Sequence, residues 1–428
     1  MYKKQEYTNY LKVAAYCRDV FTGSHTAVKY LQRFTKENDD RWKDRQDRLT
    51  LDNFTRRTVE GVRNIVFRKD LNLALITNPS LLEIFESIDL IRNLNSFAKE
   101  LLVASLRDGF TFILVDAPRF EETLTRADEI ARGIRPYFVH ILRENLINWK
   151  ENADGSYEFV VIREFYSEWN GLEETVKEQF KIIYADRVEI IREEKLYQTF
   201  PNNLGVVPIV KLGESLIPHI YDLAKLNINH MNKNSELDYY LRIAASPIPV
   251  TYQMTRDSGA VVTVGVNDGL AFDAPRNEAG FEWVALEAKN TEALENRIKA
   301  IEEQMLNISV TFASANKVKT ATQVEKDATE DESLLVHCAA QLEEALNKAV
   351  KLLGLYNSTL ALAKDQKVQV NRDYDSNKLS SEQITAYVGL YTAGIISLDT
   401  LWEILEQGEA IFIQDKEAEK LRIERVVQ

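Results

Sequence analysis

Between Ile217 and Leu353 apolar residues recur at helical steps in three long runs, and this stretch limits what the chain can become. The middle run is the most regular. Leu294, Ile298, Ile301, Met305 and Ile308 alternate four- and three-residue steps, which puts one apolar seam along one side of an α-helix. Thr291 suits its N-terminal cap, with Glu292 and Glu295 near the positive end of the dipole. Leu216 to Ile243 is the preceding helix. Its Ile220, Leu223, Asn227, Met231 and Leu237 lie near one face, and Ser246-Pro247-Ile248-Pro249 breaks it. From Val250 to Ala288 the pattern is one of short strands and glycine turns. After Val310 the chain turns small and polar, carries Asn316, Lys317 and Lys319, and has no acid between Gln304 and Val324. A helical pattern resumes through Val324, Ala328, Leu335, Ala339, Leu342, Leu346, Val350 and Leu353. About thirty residues at about 1.5 Å each make a rod of roughly 45 Å. Two rods joined by a basic connector imply a loop held out into a space.

The remaining chain bounds the setting. At 428 residues it has room for several domains and a substantial core, and its 45% hydrophobic and 28% charged content is that of a globular protein. A net charge of −13 argues against gripping nucleic acid over the whole surface, though not against letting it slide past. Cys17 and Cys338 are too few and too far apart for a disulfide framework, which fits a reducing compartment. Met1 to Tyr7 leads into no apolar signal segment, and no run of 18 apolar residues occurs. The expectation is a protein of the cytosol or assembled from it.

In chain order, residues 1–130 read as mostly helical: Tyr10 to Phe21, closed by Gly23; Leu51 to Phe67, with Arg56, Arg57 and Arg63 on its wetter side; and Asn95 to Asp108, ended by Gly109. Phe110 to Asp116 is the first strand, stopped by Ala117-Pro118. Arg135 to Leu212 is β-rich, with strands at Arg135–Val139, Asn145–Trp149, Tyr157–Phe165, Val176–Tyr184, Arg187–Arg192 and Val206–Lys211 completing one antiparallel set. Asn152-Ala153-Asp154-Gly155 supplies a hairpin turn. The third rod ends at Gly354, Tyr356 to Leu362 continues as a short helix, and Ser381 to Gly394 with Ser397 to Gln407 forms a helical hairpin. The fold class is α+β rather than alternating βαβ.

Chemistry-bearing residues do not assemble into a catalytic pattern. Asp116 ends a hydrophobic strand, where nucleotide enzymes place metal-binding aspartates, but no glycine-rich phosphate loop accompanies it. A strand-end capping role is the stronger reading. His25, His140, His219, His230 and His337 have no metal-ligand spacing, and His337 beside Cys338 points away from it on a helix. The acidic runs Glu292–Glu303 and Glu325–Glu332 read as solvated helix faces. No cofactor and no metal site is expected.

Several short segments in a fixed order carry a family resemblance. They are Tyr30-Leu31 before a charged run; Arg57-Thr58-Val59-Glu60-Gly61 leading to Val66-Phe67-Arg68-Lys69-Asp70; Ile88-Asp89-Leu90 and Ser96-Phe97-Ala98; and Asp108-Gly109 before Ile113 to Pro118. Arg135-Pro136-Tyr137, Ile147-Asn148-Trp149, Arg163-Glu164 and Leu223 to His230 follow. Over about residues 28 to 330 the chain resembles the portal proteins of tailed bacteriophages, in particular the portal-like family of short- and flexible-tailed phages. Glycine-rich character before the first long helix is modest, and the segment after Leu353 carries no motif of that family.

The resemblance implies a portal fold of wing, stem, clip and crown, in a ring usually of twelve subunits at one capsid vertex. Residues 1–216 would be the wing, 217–245 the first stem helix, 246–290 the clip and 291–310 the second stem helix. The seam Leu294, Ile298, Ile301, Met305 and Ile308 would pack the stem. Residues 311–321 would be a tunnel loop touching DNA through Asn316, Lys317 and Lys319, 322–354 a long helix of wing and crown, and 355–428 the crown. Implied partners are further copies of the chain, double-stranded DNA passing through, the terminase large subunit, the head–tail adaptor and the major capsid protein, with no membrane. Its place would be the virion, assembled in the host cytoplasm. Two other readings stay open: another virion component such as an adaptor or capsid protein, and a nucleotide-acting, metal-dependent enzyme built on Asp116.

Overall fold

The computed structural model describes residues 3–118, 132, 134–245, 248–252, 280–284, 291–313, 334–372, 374, 381–407, 410–411, 419–420 and 422. It forms two compact units: Met1–Asn371, of mixed helix and sheet, and Arg372–Gln428, helical among its described residues.

The first unit begins with α1 (Gln5–Thr22), α2 (Ser24–Ala27), α3 (Asp39–Asp47), α4 (Phe54–Val66), α5 (Pro79–Phe85) and α6 (Leu94–Asp108). Asparagine starts the last four. The side chains of Asn38, Asn53, Asn78 and Asn93 accept from the backbone N–H of Arg41, Arg56, Ser80 and Ser96, and each satisfies a donor the first helical turn cannot. On α4 the residues Thr55, Thr58, Val59, Val62 and Val66 are buried at three- and four-residue steps. Arg56 does not stay in water: its guanidinium donates to the Phe21 and Thr22 carbonyls that end α1.

Strand β1 (Thr111–Asp116) is buried along its whole length and lies between β2 (Tyr137–Ile141) and β8 (Ile209–Leu212), antiparallel to both. A second sheet is an antiparallel meander of β3 (Leu146–Glu151), β4 (Tyr157–Asn170), β5 (Glu173–Tyr184), β6 (Arg187–Arg192) and β7 (Lys195–Pro201). The two sheets share one apolar core containing Phe112, Leu114, Trp149, Val160, Ile162, Ile183 and Val188. The sequence pattern joins these strands into one set. In the structure β2 and the strand ending at Leu212 pair with β1 instead, and β7 is additional. Glu193 and Glu194, with φ of 49° and 62°, make the β6–β7 turn, so a left-handed turn stands where no glycine announces it. In β3–β4, Gly155 has φ 80°, as the Asn-Ala-Asp-Gly turn requires.

Three long helices follow: α7 (Tyr221–Ala244), α8 (Thr291–Ala313) and α9 (Leu334–Tyr356). Between α7 and α8, strands β9 (Ile248–Tyr252) and β10 (Gly280–Val284) pair antiparallel, from Ile248 opposite Val284 to Tyr252 opposite Gly280. The rest of the segment between them lies outside the described residues. After α9 the expected short helix is a 3-10 turn at Ser358–Leu360, followed by extended chain in which Val368 and Val370 are buried.

A close approach sets where α7 begins. Gly109 ends α6 at φ 88°, and a Cβ there would stand 2.3 Å from the Ser215 carbonyl oxygen. Arg143, 3% exposed, donates to the carbonyls of Asp108 and Leu216, tying the end of α6 to the run-up to α7. The fully buried Asp108 carboxylate is matched by Arg18 at 2.9 Å and Arg107 at 2.7 Å.

In the second unit, α10 (Ser381–Thr392) and α11 (Leu398–Gln407) form a helical hairpin. Gly394, at φ 72°, stops the first, and the Ser397 hydroxyl accepts from the Thr400 N–H to cap the second. Among the described residues, no helix of the chain is long and apolar enough to cross a membrane.

Candidate functional site

The α7–β9–β10–α8 hairpin is the feature with no counterpart elsewhere in the described fold. Helix α7 buries Leu223, Ala224, Ile228 and Met231, and α8 buries Ile298, Ile301 and Met305. Leu294 and Ile308, the ends of the α8 seam, are half-buried. Leu223, Ile301 and Met305 form one cluster, with Phe54, Leu226 and Ile308 packed against it. At 1.5 Å per residue each helix is roughly 35 Å long.

Polar side chains lock this packing from three directions. Asn227 is fully buried; its Oδ1 accepts from the Thr55 N–H and hydroxyl, both at 3.1 Å, and its Nδ2 donates to the Asp52 carbonyl at 2.7 Å. His230, also fully buried, has Nε2 at 2.9 Å from Glu302 Oε1, and its ring stands edge-on to Phe54. The Thr58 and Ser309 hydroxyls meet at 2.6 Å. Leu223 faces Met305 while His230 faces Glu302, so α7 and α8 run antiparallel, with α4 braced against both.

The expected sites divide as follows. Asn316, Lys317 and Lys319 lie outside the described residues. Asp116 is buried beside Lys181, with Nζ 2.5 Å from Oδ2, and its Oδ1 accepts from the Ala117 N–H. A cation already occupies the place a metal would take. His140 sits between the Thr111 hydroxyl and Glu100, and burial, with the Arg107 charge nearby, pushes its pKa down to about 4. His219 is lowered too, by burial and then by His337. Burial pushes the Cys17 and Cys338 thiols up to about 12, which leaves neither as a thiolate nucleophile. Among the described residues no cluster of histidine, cysteine and carboxylate side chains could hold a metal ion.

Sequence reasoning did not identify the bracing pairs. Asn227 had left a signal: a polar residue on an otherwise apolar helical face, which must find partners if buried. His230 and Glu302 lie 72 residues apart, and no local pattern joins them.

Residues 219–356, from just before α7 to the end of α9, match a family model described as "Domain of unknown function (DUF4055)". No curated protein matches. Among solved structures the chain is similar to one described as "Virion of native gene transfer agent (GTA) particle", at 13% identity and TM-score 0.40, covering 86% of this chain and 89% of that one. It is similar to another described as "Neck of native GTA particle computed with C12 symmetry", at 11% identity and TM-score 0.40, covering 82% and 89%. A third, "Neck of empty GTA particle computed with C6 symmetry", stands at 12% identity and TM-score 0.43, covering 82% and 90%.

Proposed function

We propose that the chain is a portal subunit: many copies form a ring at one capsid vertex, and double-stranded DNA passes through its channel during packaging and ejection. The observation that carries this reading is the braced antiparallel α7–α8 hairpin, which leads away to a β-strand pair at one end and, at the other, into a connector that holds no acid as far as Val324. Such a unit holds a loop at a fixed position without supplying chemistry to it. In this reading α7 and α8 are the stem, the 246–290 segment is the clip that docks the terminase and then the adaptor, and the connector with Lys317 and Lys319 faces the channel.

The charge supports the same use. Each phosphate neutralised by Lys or Arg adds affinity through counterion release, so a heavily basic lining would stall moving DNA. A net charge of −13 per copy, repeated around a ring, gives a mainly repulsive wall. Two lysines at one narrow level would touch phosphates without reading sequence. The reading assigns no cofactor and no catalytic residue.

Image reconstruction of the assembled particle is the test. The expected result is this chain in a ring with a central hole and residues 311–321 facing it; no hole, or a connector on the outer rim, overturns the reading. The double substitution Lys317→Glu and Lys319→Glu is expected to leave the ring intact while altering DNA packaging or retention.

A further inference from the structure

Beyond Ile162, strand β4 loses its β3 neighbour, and before Gln179 strand β5 has no β6 neighbour. Phe165 to Glu178 is therefore a bare two-stranded ribbon, paired residue by residue from Phe165 opposite Glu178 to Asn170 opposite Glu173. Such a ribbon is only marginally stable alone. Yet one face carries Phe165, Val176 and Trp169, with Leu172 at the tip; these are 59, 60, 66 and 99% exposed. Leu196, 60% exposed, continues the strip on β7, since it lies across from Ile191 and hence from Phe180 and Arg163. With aromatic side chains contributing roughly 150–250 Å² each when buried, the strip reaches several hundred Å², the size at which an exposed apolar patch marks an interaction site.

At its base Arg163 lies over the Phe165 ring and 3.8 Å from Glu178, but toward the tip the charge is acidic alone: Glu174 lies opposite Trp169, with Glu173 beside the tip. Among the described residues Glu173 and Glu174 form no ion pair; Glu174 accepts only from the Ser167 hydroxyl. The surface that fits this must be apolar with unmatched cations.

The first unit presents one. On α9, Lys348, Lys351, Leu352 and Leu355 stand at i, i+3, i+4 and i+7 and share a side. Leu355 is 53% exposed. The following segment adds exposed Lys364 and Lys367. Between Glu344 and Asn371 the chain has one acid, Asp365, against four lysines. Lys348 is matched by Glu344 and Lys367 by Glu343, but Lys351 and Lys364 form no ion pair among the described residues.

We propose that the ribbon of one copy docks on the α9 face of the next, Trp169 and Leu172 against Leu352 and Leu355, with Glu173 and Glu174 toward Lys351 and Lys364. Two different patches of one chain meeting in this way make a heterologous contact, the kind that propagates around a ring. The inference takes only its closure from the portal reading; the contact itself stands on the two surfaces.

Two single-cysteine additions to the full chain, Leu172→Cys and Leu355→Cys, test it with a short bismaleimide, since Cys17 and Cys338 are buried. The mixture is expected to yield a crosslinked dimer that neither variant gives alone. A crosslink in the Leu172→Cys sample alone, or none in the mixture, overturns the proposal. Charge reversal provides the second readout. Glu173→Lys with Glu174→Lys, or Lys351→Glu with Lys364→Glu, should weaken the crosslink about tenfold, and a mixture of the two variants carrying the cysteines should restore it. Failure of restoration overturns the charge pairing. Rings without the crosslink sink this contact and leave the portal reading; the crosslink without any ring does the reverse.

Discussion

Lys181→Met tests whether Asp116 is half of a structural ion pair or an idle metal ligand. In the native chain Lys181 Nζ lies 2.5 Å from Asp116 Oδ2 and 3.8 Å from Glu164, and the Lys181 and Asp116 side chains are 9 and 6% exposed. Removing the cation strands a carboxylate away from water, which costs about 3–5 kcal/mol. The reverse change, Asp116→Asn, is milder, about 1–3 kcal/mol, because Lys181 keeps Glu164 and the amide still accepts a hydrogen bond. The double variant removes both charges and is expected to lie closer to wild type than Lys181→Met alone. Urea unfolding followed by tryptophan fluorescence reads this out, since Trp149 sits in the core the two sheets share. A Lys181→Met loss below about 1 kcal/mol, or strictly additive losses in the double variant, would refute the buried-pair argument. The same samples address the enzyme alternative. Added magnesium or manganese is expected to leave the wild-type midpoint unmoved, whereas a rise abolished by Asp116→Asn would restore the metal reading.

Two further outcomes follow from buried polar groups. Asn227→Ala leaves the Thr55 N–H, its hydroxyl and the Asp52 carbonyl short of a partner, with an expected loss of about 2–4 kcal/mol in the same urea assay. His140 binds its proton only near pH 4 when folded but near 6.5 when unfolded. The unfolded chain thus holds the extra proton between those values, and stability falls as pH drops through that window, by about 3 kcal/mol in all. His140→Gln should flatten that part of the pH–stability curve relative to wild type.

How far the sequence could be read depends on where each element's reasons lie. The four-three spacing in α8 and the glycine after α6 are local signals, and they foretell a helix from Thr291 and a stop at Gly109 that the structure contains. Strand β7 was hidden because its turn uses Glu193 and Glu194, residues chosen by neither turn statistics nor apolar alternation. The role of Lys181 was hidden for another reason. On β5 it reads as an outward polar residue, and only the end of β1, 65 residues earlier, makes it an inward one.

The α7–α8 hairpin shows why the hidden part matters. An apolar seam of similar aliphatic residues tolerates sliding by a helical turn, since one methyl-lined groove resembles the next. Directional bonds do not. A slip of α8 by about 5.4 Å would break His230 from Glu302 and Ser309 from Thr58 together, and a slip of α7 would break Asn227 from Thr55 along with His230 from Glu302, so either takes a partner from at least one fully buried polar side chain. At about 1–3 kcal/mol for each stranded group, a register fixed only loosely by hydrophobic contact becomes one defined position. The level at which α8 delivers the chain at Ala313 is then set by α4 and α7, which is what a loop held at constant height around a channel would need.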